Sequence, residues 1–492
     1  MNRSNHTQHD RSIGADFLHL DPADAPHGGL TDWLTDRIRT AITDGDLPRG
    51  SVLPATRTLA ADLGVSRGVI TEVYRRLAED GHVRGQGRAG TVVMTGSATS
   101  LPHPHRPDPT APRPLFHPTP GPEVFDHLRR AQAHLDLSPG APDLAAFPRA
   151  AWLSAERSVL TDTSATELGY GDPRGTPALR SAVADWLTRT RGIRAHPDQV
   201  VIVAGTAQAL ALIARTLGEE GVDTVAVEDP GSLGVRQHLN HAGLRTPPVP
   251  VDEQGLDVDA LRATGARAVL TTPAHQFPTG VVLSGDRRRA LTRWAREGGL
   301  VIEDDYDAEH RYDRPPVPAL ASVVPDRVCY TGSVSKLLAP ALRLGWTVAP
   351  PHLHDALVEG KRFSDLGNAT LPQLTLARLM ASGALERHLR VLRARHRRRR
   401  DTMIEALRAH LPGARVHGAA AGLHLTLTLD TPVPDTDLAA LALERGVKTH
   451  PLTWHRQRSG PAGLVLGYAG RPETAIREGV AVLGAVVTDL AR

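Results

Sequence analysis

Lys336 has the neighbours that covalent amine chemistry requires. It follows an apolar run, 327–332, that predicts a buried strand, and Ser333 and Ser335 stand just before it. Burial disfavours the charged ammonium, so an amine in this position has a lowered pKa and is a better nucleophile. The two hydroxyls, with Arg343 seven positions further on, could hold a dianionic phosphate. The combination is the one that a pyridoxal phosphate (PLP) pocket requires.

Lysine is scarce in this chain, which narrows the search for a Schiff-base residue. The two other lysines, Lys361 and Lys448, lie in charged stretches that indicate solvated helix or loop. A Schiff base needs a neutral amine, which a solvated lysine rarely supplies at neutral pH. Lys336 is therefore the predicted Schiff-base lysine. The alternative is an exposed lysine at the end of a strand with no chemical role.

Two further motifs could complete such a pocket, and each follows a predicted strand. The tetrapeptide Gly-Thr-Ala-Gln (205–208) opens a helix, where backbone N–H groups favour a phosphate. Asp304 follows the strand 300–302 and could keep a pyridinium nitrogen protonated, while Tyr306 could bond to the phenolic oxygen of the ring. A metal site built from the acids within 303–307 is the rival interpretation. No histidine stands nearby at a metal-type spacing, so no metal ligand is predicted.

The elements that would position these residues begin at about residue 134. Short, β-branched apolar runs alternate there with helical stretches, as expected for a buried and mostly parallel sheet. The predicted strands are 199–204, 224–227, 268–270, 300–302 and 327–332. Ligands of such sheets lie beyond the carboxyl ends of the strands, which is where the polar motifs fall. An α/β domain over 134–492 is therefore predicted.

An earlier part of the chain, 28–95, predicts a separate small domain. Apolar residues recur at helical spacing from Leu30 to about residue 44, and further helices are predicted over 56–63 and 67–80. The last two helices flank a Leu-Gly-Val-Ser turn, which is typical of a helix-turn-helix. Two short β-like runs around a Gly-rich turn follow them and predict a wing.

The third of these helices could place side chains in a DNA major groove. Helical spacing predicts an exposed face made of Arg67, Thr71, Tyr74 and Arg75. It predicts a buried face made of Val69, Val73 and Leu77. A helical protein-interaction module is the alternative interpretation.

Composition and charge limit the class of protein. The 492 residues have a net charge of +3, so any nucleic-acid surface must be local. The single cysteine, Cys329, excludes a disulfide framework and fits a reducing cytoplasm. The start lacks the apolar segment of a secretory signal, and no stretch approaches the roughly 20 apolar residues of a membrane span. A soluble, cytoplasmic protein is expected, with a flexible tail over 1–27 and a proline-rich linker over 96–133.

The small N-terminal domain resembles the winged helix of GntR-type regulators. The shared motifs are Pro-Ala-Thr-Arg-Thr-Leu-Ala (54–60), Gly-Val-Ser-Arg (64–67) and Gly-Gln-Gly-Arg (85–88). The resemblance implies that the domain binds a double-stranded DNA operator. The residues implied in DNA contact are Arg57, Ser66, Arg67, Thr71, Gly87 and Arg88.

From about residue 134 the chain resembles the fold-type I aminotransferases. Three segments narrow the resemblance to the MocR/GabR group: LGYGDPRGTPALR (168–180), DYDAEHRY (305–312) and SKLLAPALRLGW (335–346). The group implies a PLP-dependent transcriptional regulator that forms a domain-swapped homodimer.

The same resemblance implies roles for single residues. Lys336 would form the internal aldimine, Asp304 would pair with the pyridine nitrogen, and Tyr306 would pair with O3′ of the cofactor. Contacts with the phosphate are implied for Thr206, Ala207, Ser333, Ser335 and Arg343. Tyr170 is implied to reach the cofactor of the neighbouring subunit.

Three positions depart from the aminotransferase pattern. Ser232 replaces the aromatic residue that stacks on the cofactor ring, and Phe277 replaces the asparagine before Pro-Thr-Gly. The arginine that grips a substrate carboxylate would align near Leu464. Candidates to substitute for it are Arg456, Arg458 and Arg471. The three changes argue against an efficient transaminase and favour a sensor.

The predicted architecture is an α+β winged helix-turn-helix followed by an α/β, fold-type I domain with a smaller C-terminal subdomain. The predicted function is that of a regulator that binds PLP at Lys336 and senses PLP or an amino compound. The alternative is an active aminotransferase with an accessory DNA-binding domain. The basic run 397–400 lies in a long helical pattern and predicts a solvated helix face rather than a second DNA site.

Overall fold

The computed structural model describes residues 20–26, 28–85, 90–94, 115–312 and 317–490. The chain divides into two compact units, Met1–Pro112 and Arg113–Arg492. Each unit has a hydrophobic core of its own. None of the helices in the described ranges is long and apolar enough to cross a membrane.

The first unit is a three-helix domain with a small antiparallel sheet. Its helices are α1 (Leu30–Asp44), α2 (Thr56–Asp62) and α3 (Arg67–Glu79). Its strands are β1 (Val52–Leu53), β2 (Val83–Gly85) and β3 (Thr91–Val93), in the order β1-β3-β2. The predicted helix-turn-helix is confirmed. The predicted wing contacts Gly87 and Arg88 lie outside the described residues.

The predicted exposed face of α3 is wrong at Tyr74. This side chain is buried with Ile70 and Val73, and its hydroxyl donates to the Pro54 carbonyl at 2.9 Å. Val69, predicted to be buried, is only half-buried. A tyrosine ring removes a large apolar area from water, and here its hydroxyl also finds a backbone acceptor, so burial of Tyr74 is favoured.

The second unit starts with a short helix, α4 (Val124–Arg130), and a short strand, β4 (Leu135–Asp136). Phe116 and Leu128 are buried in the same core as the C-terminal strands, and the Phe116 ring stacks on Trp454 at 5.4 Å. The segment 115–133, assigned to the linker by its prolines, therefore packs against this unit. This packing depends on its apolar residues, whereas the linker was predicted from its prolines alone.

An eight-stranded sheet forms the centre of the second unit. Its strands are β5 (Val200–Val203), β6 (Val225–Asp229), β7 (Pro248–Asp252), β8 (Gly255–Leu256), β9 (Ala268–Thr271), β10 (Leu300–Asp305), β11 (Val328–Ser333) and β12 (Gly345–Val348). They lie in the order β5-β12-β11-β10-β9-β6-β7-β8. The pairs from β11 to β7 are parallel, whereas β12 and β8 are antiparallel to their neighbours. The prediction of a mostly parallel sheet is confirmed.

Helices cover both faces of this sheet. Successive strand residues point to opposite faces, so Val200 and Ile202 join one core while Val201 and Val203 join another. The helices are α5 (Arg149–Asp162), α6 (Pro177–Arg191), α7 (Thr206–Glu219), α8 (Leu233–His241), α9 (Val258–Ala263), α10 (Gly285–Arg296), α11 (Pro351–Asp365) and α12 (Thr370–Ala381).

A smaller C-terminal subdomain completes the unit. Its helices are α13 (Ala384–His410), α14 (Asp435–Glu444) and α15 (Glu473–Leu490). Its strands are β13 (Arg415–His417), β14 (His424–Thr428), β15 (Val447–Lys448), β16 (His450–Pro451) and β17 (Gly463–Gly467). Four of them form a sheet in the order β13-β14-β17-β16, whereas β15 pairs with β4.

The basic run 397–400 on α13 is only partly solvated. Arg399 is buried and forms an ion pair with Asp143 at 2.8 Å. The Arg400 guanidinium lies over the Tyr312 ring, 4.9 Å from its centroid, whereas the other two arginines are exposed. A helix turns by about 100° per residue, so four consecutive side chains cannot share one face. The prediction of a solvated face is therefore wrong for Arg399.

Candidate functional site

A cavity of about 630 Å³ lies where the carboxyl ends of the central strands meet the C-terminal subdomain. It brings together eight residues predicted to contact the cofactor: Thr206, Ala207, Asp304, Tyr306, Ser333, Ser335, Lys336 and Arg343. They converge because parallel strands end at the same edge of a sheet. A volume of this size suits a small organic ligand.

One end of the cavity is built to hold an anion. Gly205 precedes α7 with φ of 82°, and Thr206 is the first residue of that helix, so unpaired N–H groups face the cavity end. The Arg343 guanidinium lies beside this helix start, 3.4 Å from where a Cβ of residue 205 would be, and the positive φ is what favours glycine at this position. Ser333 and Ser335 line the same cavity. Two hydroxyls, a guanidinium and a helix N-terminus match the donors that a phosphate accepts.

Lys336 lines the cavity as a half-buried amine. Its Nζ donates to the carbonyl oxygen of Gly140. A Cβ at residue 140 would lie 3.2 Å from Nζ, so glycine is needed for this approach. Burial lowers the pKa of Lys336, and the negative charges of Asp307 and Asp304 oppose that shift. The residue predicted to be a nucleophile therefore lies where burial makes its amine easier to deprotonate than that of a solvated lysine.

The other two lysines are buried, so the prediction that they are solvated is wrong. Lys361 is fully buried, and its Nζ donates to the side chains of Gln208, Asp365 and Asn368. Lys448 is 5 % exposed and lines the cavity. Charged neighbours in sequence gave no information on burial, because adjacent residues of a helix or strand point in different directions.

Asp304 is the carboxylate that reaches the cavity from β10. It is buried, and Thr331 Oγ1 donates to it at 3.3 Å. Burial, reinforced by the charge of Asp305, raises the pKa of Asp304 to about 7. A cation beside this carboxylate would stabilise its ionised form, so the site favours a positively charged ligand group.

The neighbouring acids of β10 belong to the scaffold. Glu303 accepts hydrogen bonds from the backbone N–H groups of Leu320 and Ala321. Asp305 forms a buried ion pair with Arg191. Strand residues alternate between faces, so these two carboxylates point away from Asp304.

Tyr306 belongs to a hydrogen-bonded chain that the sequence did not reveal. Its hydroxyl lies 3.0 Å from Nδ1 of His275, and the same nitrogen lies 2.9 Å from a carboxylate oxygen of Asp307. Burial and the charges of Asp307 and Asp304 raise the pKa of Tyr306 well above its usual value, so the phenol keeps its proton. His275, Asp307 and His424 also place ligand-type atoms within 4.8 Å of one another. They come from separate strand ends, so no sequence spacing indicated the group.

The three departures from the aminotransferase pattern have clear positions. Ser232 and Phe277 both line the cavity. The Phe277 ring centroid lies 5.0 Å from the ring centroids of His424 and His455. An apolar ring therefore lies where the aminotransferase pattern has the side-chain amide of an asparagine. Leu464 is buried in the core of the C-terminal subdomain and does not line the cavity.

None of the arginines considered as substitutes for the carboxylate clamp lines the cavity. Arg456 donates to the Pro461 carbonyl, Arg458 pairs with Asp229, and Arg471 donates to the Asp136 carbonyl. Each guanidinium is therefore committed to a protein group elsewhere.

Tyr170 lies outside the cavity of its own chain. It is 96 % exposed and lines a separate surface hollow with Leu366 and Asn368. The predicted contact of Tyr170 with the cofactor of a neighbouring subunit stays a prediction.

Several residues that line the cavity were not predicted to belong to the site. They are Gly140, Ser138, His424, Lys448, His450 and His455. Most come from the segment after β4 and from the C-terminal subdomain, far along the chain from the motifs. Only tertiary packing brings them to the strand ends.

The first unit presents the other predicted site. Arg57 on α2 and Arg67 and Thr71 on α3 are exposed, as is the capping residue Ser66. Within the described part of the chain, the Arg57 and Arg67 guanidinium groups form no ion pair. Arg75, by contrast, is held by carboxylates on its own helix. Free guanidinium groups beside a helix N-terminus are suited to DNA phosphates and base edges.

Comparisons with known proteins match both units of the chain. Residues 30–93 match the gntR family of bacterial regulatory proteins, and residues 133–456 match aminotransferase class I and II. The probable rhizopine catabolism regulatory protein MocR of Rhizobium meliloti is 32% identical over 463 residues, 91% of each chain. The HTH-type pyridoxine biosynthesis transcriptional regulator PdxR of Corynebacterium glutamicum is 32% identical over 449 residues, 90% of this chain and 93% of the relative.

A solved aminotransferase shares the fold of the second unit. The structure of LysN, an alpha-aminoadipate aminotransferase from Thermus thermophilus complexed with N-(5'-phosphopyridoxyl)-L-leucine, superposes with a TM-score of 0.68. It is 28% identical and covers 74% of this chain and 94% of its own. A winged helix followed by this fold defines a DNA-binding transcriptional regulator with an aminotransferase-like domain. The chain belongs to the MocR/GabR-type family of such regulators.

Proposed function

We propose that this regulator binds PLP covalently at Lys336 and that PLP or a small amino compound changes its affinity for an operator. The observation that carries the proposal is the convergence of Lys336, Asp304 and Tyr306 with an anion-binding end in one cavity. When bound, PLP supplies an aldehyde that condenses with amines and a ring that withdraws electrons. The protein would act in the cytoplasm, where it meets DNA.

The side chains that line the cavity match the chemical groups of PLP. Arg343, Ser333 and Ser335, with the start of α7, would hold the phosphate. Asp304 has no cationic side chain hydrogen-bonded to it among the described residues, so its raised pKa marks a place for a pyridinium nitrogen. Tyr306 keeps its proton and can donate to an oxygen on the ring.

The second unit controls which compounds reach Lys336. Phe277 and the histidines at 424 and 455 form a wall of neutral rings, because burial lowers the pKa of His424 to about 3 and that of His455 well below its usual value. Neutral rings exclude water without adding charge. The carboxylate-gripping arginine is absent from this wall, which favours ligand sensing over rapid turnover.

We also propose that the regulator works as a homodimer, with Tyr170 reaching the partner's cavity. Large apolar side chains are exposed at Leu168, Tyr170, Phe363 and Leu366. Tyr170 and Leu366 line one surface hollow, and exposed apolar residues that lie together are typical of an interaction surface. Two winged helices in one dimer would contact two operator half-sites.

The visible absorption spectrum tests the cofactor part of the proposal. Protein incubated with PLP should gain a visible band, and borohydride should fix the label on the protein. Only three lysines occur in the chain, so peptide mapping assigns the label, and Lys336 is expected. Lys336→Ala should gain neither band nor label. A label on Lys361 or Lys448, or a colourless wild type, would contradict the proposal.

Operator binding tests the regulatory part. DNA selected from a random pool by the full-length protein should change its affinity for the protein when PLP or an amine is added. Lys336→Ala should bind the same DNA without that response. Steady conversion of an amino acid and 2-oxoglutarate, at an enzyme-like rate of about 1 s⁻¹ or more, would favour the aminotransferase alternative instead.

A further inference from the structure

Lys448 is placed to bind an anion inside the cavity. It lies on β15, which pairs with β4 next to Asp136, and its side chain lines the cavity although the residue is 5 % exposed. The only carboxylate near its Nζ in the described ranges is Asp136, at 3.8 Å. That distance exceeds a hydrogen bond, so the three N–H donors of the ammonium are left for a ligand.

The cationic groups of the cavity have different partners. Arg343 lies at the anion-binding end beside α7, and Lys336 donates to Gly140. Arg129 pairs with Asp126 on its own helix. Of the cations that line the cavity in the described chain, Lys448 is thus the one that is buried, lies outside the phosphate end and has only a long ion pair, with Asp136 at 3.8 Å.

Lys448 and Lys336 are linked by one short segment. Asp136 stands beside Lys448, and Gly140 accepts a hydrogen bond from Lys336, so four residue steps separate the two contacts. A chain of this length spans at most about 14 Å. The two contacts are therefore close enough for one small ligand with two functional groups to lie between them.

The surroundings of Lys448 strengthen an ionic contact. His450 and His455 line the same part of the cavity, their rings stack at 5.8 Å, and they are 7 % and 2 % exposed. The Ser138 hydroxyl, between the two lysine contacts, is buried without a hydrogen-bond partner in the described structure. Low-dielectric walls strengthen charge–charge attraction, so an anionic ligand group gains more from the ammonium there than in water.

We propose that the effector of this regulator is a small amine that also carries a carboxylate, and that Lys448 binds that carboxylate in place of the missing arginine. The inference rests on the proposed function, in which the amine end reaches the cofactor at Lys336. Lys448 is then a specificity-determining residue. It separates amino acids from simple amines.

Matched pairs of ligands test this proposal on PLP-loaded protein. β-Alanine is compared with propylamine, and 5-aminopentanoate with pentylamine, because each pair differs only in the carboxylate. The half-saturating concentration is read from the change in the visible band. In the wild type at least one amino acid should act at a concentration about tenfold or more below that of its amine.

The Lys448 variants separate an anion site from a structural role. Lys448→Met should bring the ratio within each pair close to one while leaving the response to the amines and the PLP content unchanged. Lys448→Arg should keep the wild-type preference. Asp136→Asn, which removes the competing carboxylate, should increase the preference several-fold and provides a test if Lys448→Met does not fold.

Each outcome has a distinct meaning. A wild-type ratio in Lys448→Met, or a ratio near one in the wild type for both pairs, overturns the Lys448 assignment and leaves the cofactor proposal intact. If Lys448→Met does not fold, an unchanged ratio in Asp136→Asn overturns the assignment. A wild type without any PLP band overturns the cofactor proposal and the assignment together.

Discussion

At the scale of single residues, the burial of Asp304 predicts a link between cofactor binding and stability. Its pKa of about 7 arises from burial and from the neighbouring charge of Asp305. In the protein without cofactor, the ionised carboxylate is therefore unfavourable. With a pyridinium nitrogen beside it, the same carboxylate would be favourable, so a replacement should have opposite effects on the two forms.

Asp304→Asn should stabilise the cofactor-free protein and weaken PLP binding. The pKa of Asp304 is raised in the folded state, so folding stability falls as pH rises from about 4 to 7, and the penalty is complete above pH 7. Removing the carboxylate should increase the free energy of unfolding little at pH 4 and most at pH 8, by up to about 4 kcal/mol. Thermal melts at both pH values and PLP titrations measure the two effects.

Asp305→Asn is unsuitable as a control because Asp305 holds Arg191. Asp307 is unsuitable too, since it contacts His275. Asp286→Asn, at an exposed position of α10, provides the reference instead. Equal PLP affinity in Asp304→Asn and wild type would mean that the pyridine partner lies elsewhere.

At the scale of elements, helix α3 carries both an arginine without an ion pair in the described structure and arginines in ion pairs. Arg67 is exposed and unpaired within the described chain, whereas Arg75 donates to Glu72 at 2.6 Å and also to Glu79. Arg67→Ala should weaken operator binding by about tenfold and reduce the salt dependence by about one counterion. Fluorescence anisotropy at several salt concentrations measures both.

Arg75→Ala is the matched control on the same helix. It removes the same charge, but its guanidinium is already neutralised by acids, so operator affinity should change little. Equal losses in the two variants would argue that only net charge matters. An unchanged affinity in Arg67→Ala would show that Arg67 on α3 does not contact the operator.

The long helix α13 offers a second comparison within one element. Arg399→Ala should lower the free energy of unfolding by about 2–4 kcal/mol, because it leaves the buried Asp143 carboxylate with a weaker set of partners. Arg398→Ala, at an exposed position, should change it by less than about 0.5 kcal/mol. Denaturant titrations measure the difference, and equal values would contradict the burial of Arg399.

For the whole molecule, the exposed apolar residues predict the oligomeric state. Light scattering of the full chain should give twice the monomer mass. Leu366→Asp should weaken the dimer, because it places a charge in the surface formed with Tyr170, whereas Val391→Asp on α13 should not. A wild-type monomer, or dimers of equal strength in both variants, would contradict the proposed interface.

The amino-acid sequence alone determined the class of this protein, a winged helix joined to an aminotransferase-like domain. Its two-domain plan, the helix-turn-helix, the strands and the motifs at 206, 304 and 336 are local in sequence, and local patterns depend on backbone propensity and side-chain periodicity. Eight predicted cofactor residues could be placed in one cavity because parallel strands share an edge.

Only the tertiary structure decided which polar and charged side chains are solvated and which are buried. Lys361, Lys448, Tyr74 and Arg399 all lie in polar stretches, yet each is buried. Burial of such a side chain depends on partners far away in sequence: Gln208 for Lys361, and Asp143 for Arg399. Sequence neighbours carry no information on these contacts, so only the folded chain shows that Lys448 faces the cavity and Lys361 does not.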